Sequence, residues 1–309
     1  MKKALVQALC SLMIENDNIF LFVGDLGFGV MDPIIEKHKD RFINAGICEQ
    51  NMISAATGLA LSGSIVFVYS IGNFPTLRCI EQIRNDAAYH NANVKIVAVG
   101  GGFAYGQLGM SHHATEDIAM FRTLPNITVL APADPNETIE AVKFAAKTDG
   151  PVYIRLGRGG EQNISHKQID ITKPIKLQIF MHSANIRIAL IGSGTVMVEV
   201  ENAATVLGEK YEISAYSLAM VKPVDEESIK TICAANDYVF TIEEHQVTGG
   251  IGSLVAEIIA ENSIPCCFKR IGINNQFTQI VGSPLYLRKV YSLDMEGIIS
   301  IVEKWVEKK

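Results

Sequence analysis

Ile19-Phe-Leu-Phe-Val-Gly-Asp25 is an unbroken apolar run that stops at a glycine and an aspartate. A short run that is apolar at every position predicts a strand buried on both faces, and Gly24-Asp25 predicts the loop at its carboxyl end. The pattern recurs at Ile65–Tyr69, Val94–Val99, Ile127–Leu130 and Val152–Leu156. Between these runs, apolar residues fall at helical spacing over 2–15, Pro33–Lys39, Cys79–Tyr89, a segment ending at Arg122, and Asn136–Ala146. Buried strands alternating with helices predict an α/β fold whose mostly parallel sheet is covered on both faces.

Residues 159–185 break the rhythm. They are polar and irregular (Gly159-Gly160-Glu161, His166, Lys167, Lys173-Pro174), which predicts a linker over 161–185. Alternation resumes at Ile186–Ile191, where Gly192-Ser-Gly194 opens a helix to Leu207. Strands follow at Ile213–Leu218, Tyr238–Ile242 and Cys267–Ile271, with helices near 225–235, 250–261 and 295–307. The expectation is two α/β domains, 1–160 and 186–309, with no internal repeat. A length of 309 residues suits two cores, and 48% hydrophobic residues can fill them.

Composition excludes several classes. A net charge of −6 without a block of Lys or Arg outside the C-terminal tail argues against nucleic acid. No run of about 18 apolar residues exists to span a membrane. The opening Met-Lys-Lys-Ala-Leu-Val lacks the apolar core of a signal peptide, so a cytoplasmic location is expected. The six cysteines (Cys10, Cys48, Cys79, Cys233, Cys266, Cys267) form no C-x-x-C and read as reduced thiols. No histidine motif suggests a metal.

Candidate chemistry gathers at Asn44-Ala-Gly-Ile-Cys-Glu-Gln-Asn-Met52. A β-prone segment, Arg41–Asn44, runs through Gly46 into a helix of small residues (Ala55, Ala56, Gly58, Ala60). Glu49 falls on its first turn, where the helix dipole favours a carboxylate; a helix cap alone would also explain it. Three loops lie where a parallel sheet places ligands, beyond the strand ends: Gly24–Gly29, Ser70–Phe74 and Gly100–His113. The third carries five glycines before His112 and His113, and glycine lets backbone approach a ligand. Gly192-Ser-Gly194 lacks the third glycine of a dinucleotide fingerprint and reads as a structural turn. Gly24-Asp25 with Asn51 imitates a metal–diphosphate motif, but Leu26 stands where glycine is needed. No metal site is expected, and there is no P-loop.

Together these segments resemble the C-terminal half of transketolase, present as a separate chain. The resemblance rests on Asn-Ala-Gly-Ile-Cys-Glu-Gln-Asn (44–51), Tyr-Ser-Ile-Gly-Asn-Phe (69–74), Gly-Met-Ser-His-His-Ala-Thr-Glu-Asp (109–117), Leu-Pro-Asn (124–126), Ala-Pro-Ala-Asp-Pro (131–135) and Gly-Pro-Val-Tyr-Ile-Arg-Leu-Gly-Arg-Gly (150–159). It covers essentially the whole chain. It implies a pyrimidine-binding domain for thiamine diphosphate, a transketolase C-terminal domain and transfer of a two-carbon ketol unit between sugars. Deoxyxylulose-phosphate synthase and the beta subunits of 2-oxoacid dehydrogenases share the architecture and stay open as alternatives, as does a non-catalytic scaffold.

The resemblance implies roles for particular residues. Glu49 matches the glutamate that meets the pyrimidine ring nitrogen and promotes the cofactor's own amine as a base. Phe74 matches the aromatic that stacks on that ring, and Asp25 and Tyr69 match positions beside the cofactor. His112 matches the histidine that steadies substrate oxygens. His113 replaces a glutamine at a position expected to bind substrate, and Arg158 matches an arginine that binds the sugar phosphate. Two departures stand out: a family aspartate is Leu108 here, and a phosphate-binding histidine falls on Gly100. They favour a modified or nucleotide-linked sugar over a simple pentose phosphate. No Gly-Asp-Gly with a downstream asparagine occurs. The resemblance therefore implies a partner of the N-terminal type that supplies the diphosphate contacts and Mg²⁺ or Ca²⁺, in an α₂β₂-type assembly.

Overall fold

The computed structural model describes residues 1–165, 169–180 and 186–308. The first half runs α1 (Lys2–Glu15), β1 (Ile19–Val23), α2 (Asp32–Lys37), β2 (Phe42–Asn44), α3 (Glu49–Leu61), β3 (Ile65–Ile71) and α4 (Ile80–Gln82), which continues as a π-helical stretch Ile83–Ala88. It goes on through β4 (Val94–Val99), α5 (Asp117–Thr123), β5 (Thr128–Leu130), α6 (Pro135–Lys147) and β6 (Val152–Leu156). The second half comprises β7 (Ile175–Phe180), β8 (Arg187–Ser193), α7 (Met197–Leu207), β9 (Glu212–Ser217), β10 (Met220–Lys222) and α8 (Glu226–Ala234). It closes with β11 (Tyr238–Gln246), α9 (Ile251–Glu261), β12 (Cys267–Ile273), α10 (Pro284–Val290) and α11 (Met295–Glu307).

Two mostly parallel sheets result, as the apolar strand pattern predicts. The first has the order β10-β5-β6-β4-β3-β1-β2, parallel except for β10. The second has the order β12-β11-β8-β9-β7, parallel except for β7. Alternating side chains divide β3 between two cores. Phe67 and Tyr69 join Leu5, Leu9 and Met13 of α1 on one face, and Val66 and Val68 join Met52, Ile53 and Ala56 of α3 on the other. The α3 face continues into the second half through Ile191, Leu218, Ile251 and Val255, so one apolar core spans both sheets.

Two strands escape the sequence pattern. β7 lies inside the stretch 161–185 expected to be linker, and pairs antiparallel with β9. His166 and Lys167, cited for that linker, fall outside the described residues, as do residues 181–185. β10 belongs to the second half in sequence but adds an antiparallel edge to the first sheet, Met220 opposite Leu130. The halves are therefore laced together by main chain as well as by side chains.

Candidate functional site

The site forms along the carboxyl edge of the first sheet. The Asn44 side chain shapes the turn that delivers Glu49. Its Oδ1 accepts from the N–H groups of Asp25 (3.1 Å) and Gly46 (3.0 Å), and its Nδ2 donates to Asp25 Oδ1 at 2.9 Å. Gly46 takes φ +76°, a left-handed conformation that glycine adopts freely. Glu49 then starts α3 at 3% exposure. Gly24 keeps the space beside it open: a Cβ there would meet Ser70 Oγ at 3.3 Å and Glu49 Cγ at 3.5 Å. That Ser70 hydroxyl is buried without a hydrogen-bond partner. Arg78 Nη1 donates to Glu49 Oε2 at 2.9 Å.

From Glu49 a continuous row of side chains crosses the edge. The Arg78 guanidinium sits 4.7 Å from the centre of the half-buried Phe74 ring. His112 meets the same ring edge-on at 5.1 Å and has its Nδ1 2.9 Å from Ser111 Oγ. Burial, with His113 beside it, holds His112 below the usual imidazole range, so the ring is neutral at neutral pH. Tyr105 lies 6.1 Å from His112. Two cations share the Tyr105 ring, Arg158 at 5.0 Å and Lys2 at 6.0 Å.

Burial, then the nearby Arg158 charge, lowers the Lys2 pKa, and the Glu161 charge only partly opposes this. Among the described residues, no carboxylate forms an ion pair with the side chain of Lys2 or Arg158. Both line a cavity of about 710 Å³ between the halves, together with Gln162, Thr195, Leu285 and Arg288. Glu161 lines the same cavity, so the two cations leave a net positive wall suited to an anion.

Residues 1–161 match the family described as transketolase, pyrimidine binding domain, and residues 180–304 match the transketolase C-terminal domain. The chain belongs to the transketolase family. It is 37% identical over 313 residues to the putative transketolase C-terminal section of Methanocaldococcus jannaschii, covering 100% of this chain and 97% of that one. It is 34% identical to one of the apulose-4-phosphate transketolase subunits of Actinobacillus succinogenes, over 87% of this chain and 86% of the other. Among solved structures it resembles a split gene transketolase described as an inactive beta4 tetramer. The TM-score there is 0.85 at 33% identity, covering 98% of this chain and 97% of the other. The chain thus corresponds to the C-terminal part of transketolase.

Within this transketolase chain, Glu49, Phe74, His112 and Arg158 stand in the row. The other expected site residues lie elsewhere. Asp25 is exposed, in a left-handed conformation (φ +53°), and clamps Asn44. Tyr69 is 2% exposed and points to the sheet face opposite Ser70, where a Cβ on Gly27 would lie 3.5 Å from its ring; burial and Tyr105 raise its pKa. His113 is fully buried; its Nε2 hydrogen-bonds the Gly106 carbonyl at 3.1 Å, and its ring meets Phe103 at 5.5 Å. It pins the glycine loop rather than facing the open edge.

The glycines themselves admit protein, not ligand. A Cβ at Gly102 would lie 2.4 Å from Glu244 Oε2, and one at Gly106 2.5 Å from Leu287 Cδ1. At Gly100 a Cβ would strike the Tyr105 ring at 2.3 Å, so Tyr105 fills the space beside that glycine. Leu108 is 55% exposed on the same loop. Sequence reasoning did not find Lys2, Arg78 or Tyr105. Arg78 carried a weak signal, a lone cation shortly after Phe74; the other two are brought in only by folding.

Proposed function

We propose that this chain is the C-terminal subunit of a two-chain transketolase-type enzyme that transfers a two-carbon ketol unit between anionic sugars. A chain of the N-terminal type would hold the diphosphate of thiamine diphosphate and its Mg²⁺ or Ca²⁺. The observation that carries this reading is the row from Glu49 through Phe74 and His112 to Arg158 and Lys2. The residues fit the cofactor's ring: a buried carboxylate for a ring nitrogen, an unpartnered Ser70 hydroxyl beside it, and an aromatic face at Phe74. When bound, thiamine diphosphate supplies the carbon nucleophile and the electron sink.

The chain's own groups then divide the remaining work. Glu49 would hold a proton at the ring nitrogen. The neutral His112 orients substrate oxygens, and Lys2 with Arg158 holds the substrate's anionic end. The split transketolase solved as a beta4 tetramer supports self-association of this chain alongside the second one.

The test is reconstitution with the N-terminal-type chain and a donor screen. Ketol transfer from hydroxypyruvate or a ketose phosphate is expected only from the pair. Exclusive use of pyruvate would move the chain to the deoxyxylulose synthase or oxoacid class, and transfer by the isolated chain would remove the need for a partner. Lys2→Met and Arg158→Met should each raise KM for an anionic acceptor about tenfold or more, with kcat little changed.

A further inference from the structure

One side chain makes both contacts that the proposed function gives to the cofactor's pyrimidine ring. Arg78 donates to Glu49 Oε2 at 2.9 Å, and its guanidinium lies 4.7 Å from the Phe74 ring centre. A flat, hydrogen-bonding cation against Phe74 and bonded to Glu49 imitates a flat heterocycle in the same place. We infer that Arg78 is a guard of the cofactor site: its side chain lies where the ring would sit and swings out when thiamine diphosphate enters. The inference rests on the proposed cofactor reading.

Three observations support the exchange. Glu49 is only 3% exposed, and a buried carboxylate left without a partner is costly, so it needs a counter-charge whenever the ring is not bound. Arg78 is 47% exposed, so its outer half already has solvent to move into. The backbone beneath it is fixed: Arg78 N–H donates to the Asn73 carbonyl at 3.1 Å, and Thr76 Oγ1 donates to that of Gly72 at 2.8 Å. Only the side chain has to change place. The cofactor ring then takes over the hydrogen bond to Glu49, and the arginine regains its freedom and its hydration.

Calorimetric titration of the full chain, assembled with its N-terminal-type partner, with thiamine diphosphate and Mg²⁺ tests this. Arg78→Met keeps the length of the side chain and removes its charge. It should bind the cofactor about tenfold more tightly or better, because no charge-assisted hydrogen bond has to be broken first. Its melting temperature without cofactor should fall, and the rise on adding cofactor should exceed that of wild type. Arg78→Lys keeps the counter-charge without the planar fork and should bind with intermediate strength. If Arg78→Met does not fold, a gain in affinity by Arg78→Lys carries the proposal, and no gain overturns it. Unchanged or weaker binding by Arg78→Met also overturns it and makes Arg78 a permanent wall of the site. Wild-type binding that Glu49→Ala abolishes, with no gain in the Arg78 variants, sinks this inference alone. No binding by the wild-type assembly sinks the cofactor reading, and this one with it.

Discussion

The two sheets end in similar glycine-punctuated loops, yet their carboxyl edges have opposite fates. The first edge leaves Lys2 and Arg158, among the described residues, without an ion pair beside a cavity, and Glu49 paired with the half-exposed Arg78. The second edge is turned into the first half, and its buried charged side chains are hydrogen-bonded there. Arg155 Nε donates to Asp117 Oδ2 at 2.8 Å, and its Nη2 donates to the carbonyls of Ala114 and Glu244 at 2.9 and 3.0 Å. Arg288 bonds Glu244 Oε1 at 3.0 Å, and Glu243 accepts from the N–H groups of Ile251 and Gly252 at the start of α9. Charge in a seam is matched by charge and hydrogen bonds. Charge that protein leaves unmatched at an open edge is available to a ligand.

Substitutions separate the two edges. Glu49→Gln keeps the shape of the first edge and removes its proton-holding group. Turnover should fall at least about a thousandfold, roughly 4 kcal/mol of barrier, with the melting curve little moved. Near-normal turnover would remove Glu49 from the chemistry. Arg155→Met should do the reverse. It takes the cation from Asp117, which is 1% exposed and keeps the Tyr153 hydroxyl as a donor, and should cost about 3–5 kcal/mol in a denaturant titration. Arg158→Met deletes the same charge from the open edge, where stability should change by less than about 0.5 kcal/mol. Equal losses from the two arginines would erase the distinction between seam and site.

Much of the outward edge was legible in sequence. Apolar runs placed β1, β3, β4 and β6, and motif resemblance picked out Glu49, Phe74, His112 and Arg158. The seam was not legible. Glu243-Glu244-His245 carries no local sign that its partners are Arg155, Arg288 and the start of α9, because those contacts exist only once both sheets have formed. The five glycines of 100–109 looked like room for a ligand and are room for Glu244, Arg155, Leu287 and Tyr105. β7 did carry a signal, the apolar–polar alternation Ile175-Lys-Leu-Gln-Ile179, hidden by its polar surroundings. β10 is three residues long, too short for periodicity to speak. Lys2 and Arg158 lie near opposite ends of the first domain, and spacing could not join them.

The seam also contains a group that should give it a pH dependence. Glu137 accepts from the Ala133 N–H at 2.7 Å and from Ser217 Oγ, across the halves, at 3.1 Å. Burial raises its pKa from 4.5 to about 8. Between those values the folded chain keeps a proton that the unfolded chain has released. Stability therefore falls as pH rises through this window, by up to about 1.4 kcal/mol per unit, and levels off above it. Glu137→Gln carries no titrating proton and should flatten that slope in urea titrations across the window. An unchanged slope would assign the pH dependence to other groups.

The smallest expected effect bears on Asp25, which the family resemblance puts beside the cofactor and the structure puts in the Asn44 clamp. The two roles predict different rankings of substitutions. Asp25→Asn retains an Oδ1 to accept from Asn44 Nδ2, and asparagine tolerates the left-handed backbone at this position. As a clamp it should lose well under 1 kcal/mol and keep near-normal cofactor affinity. Asp25→Ala forfeits the hydrogen bond and places an unsuited residue at φ +53°, so it should lose about 1–2 kcal/mol and loosen the turn that delivers Glu49. If instead the carboxylate acts on the cofactor, both variants should weaken binding alike, because both remove the charge. Calorimetry on the pair decides whether this loop belongs to the open edge as a ligand contact or only as its hinge pin.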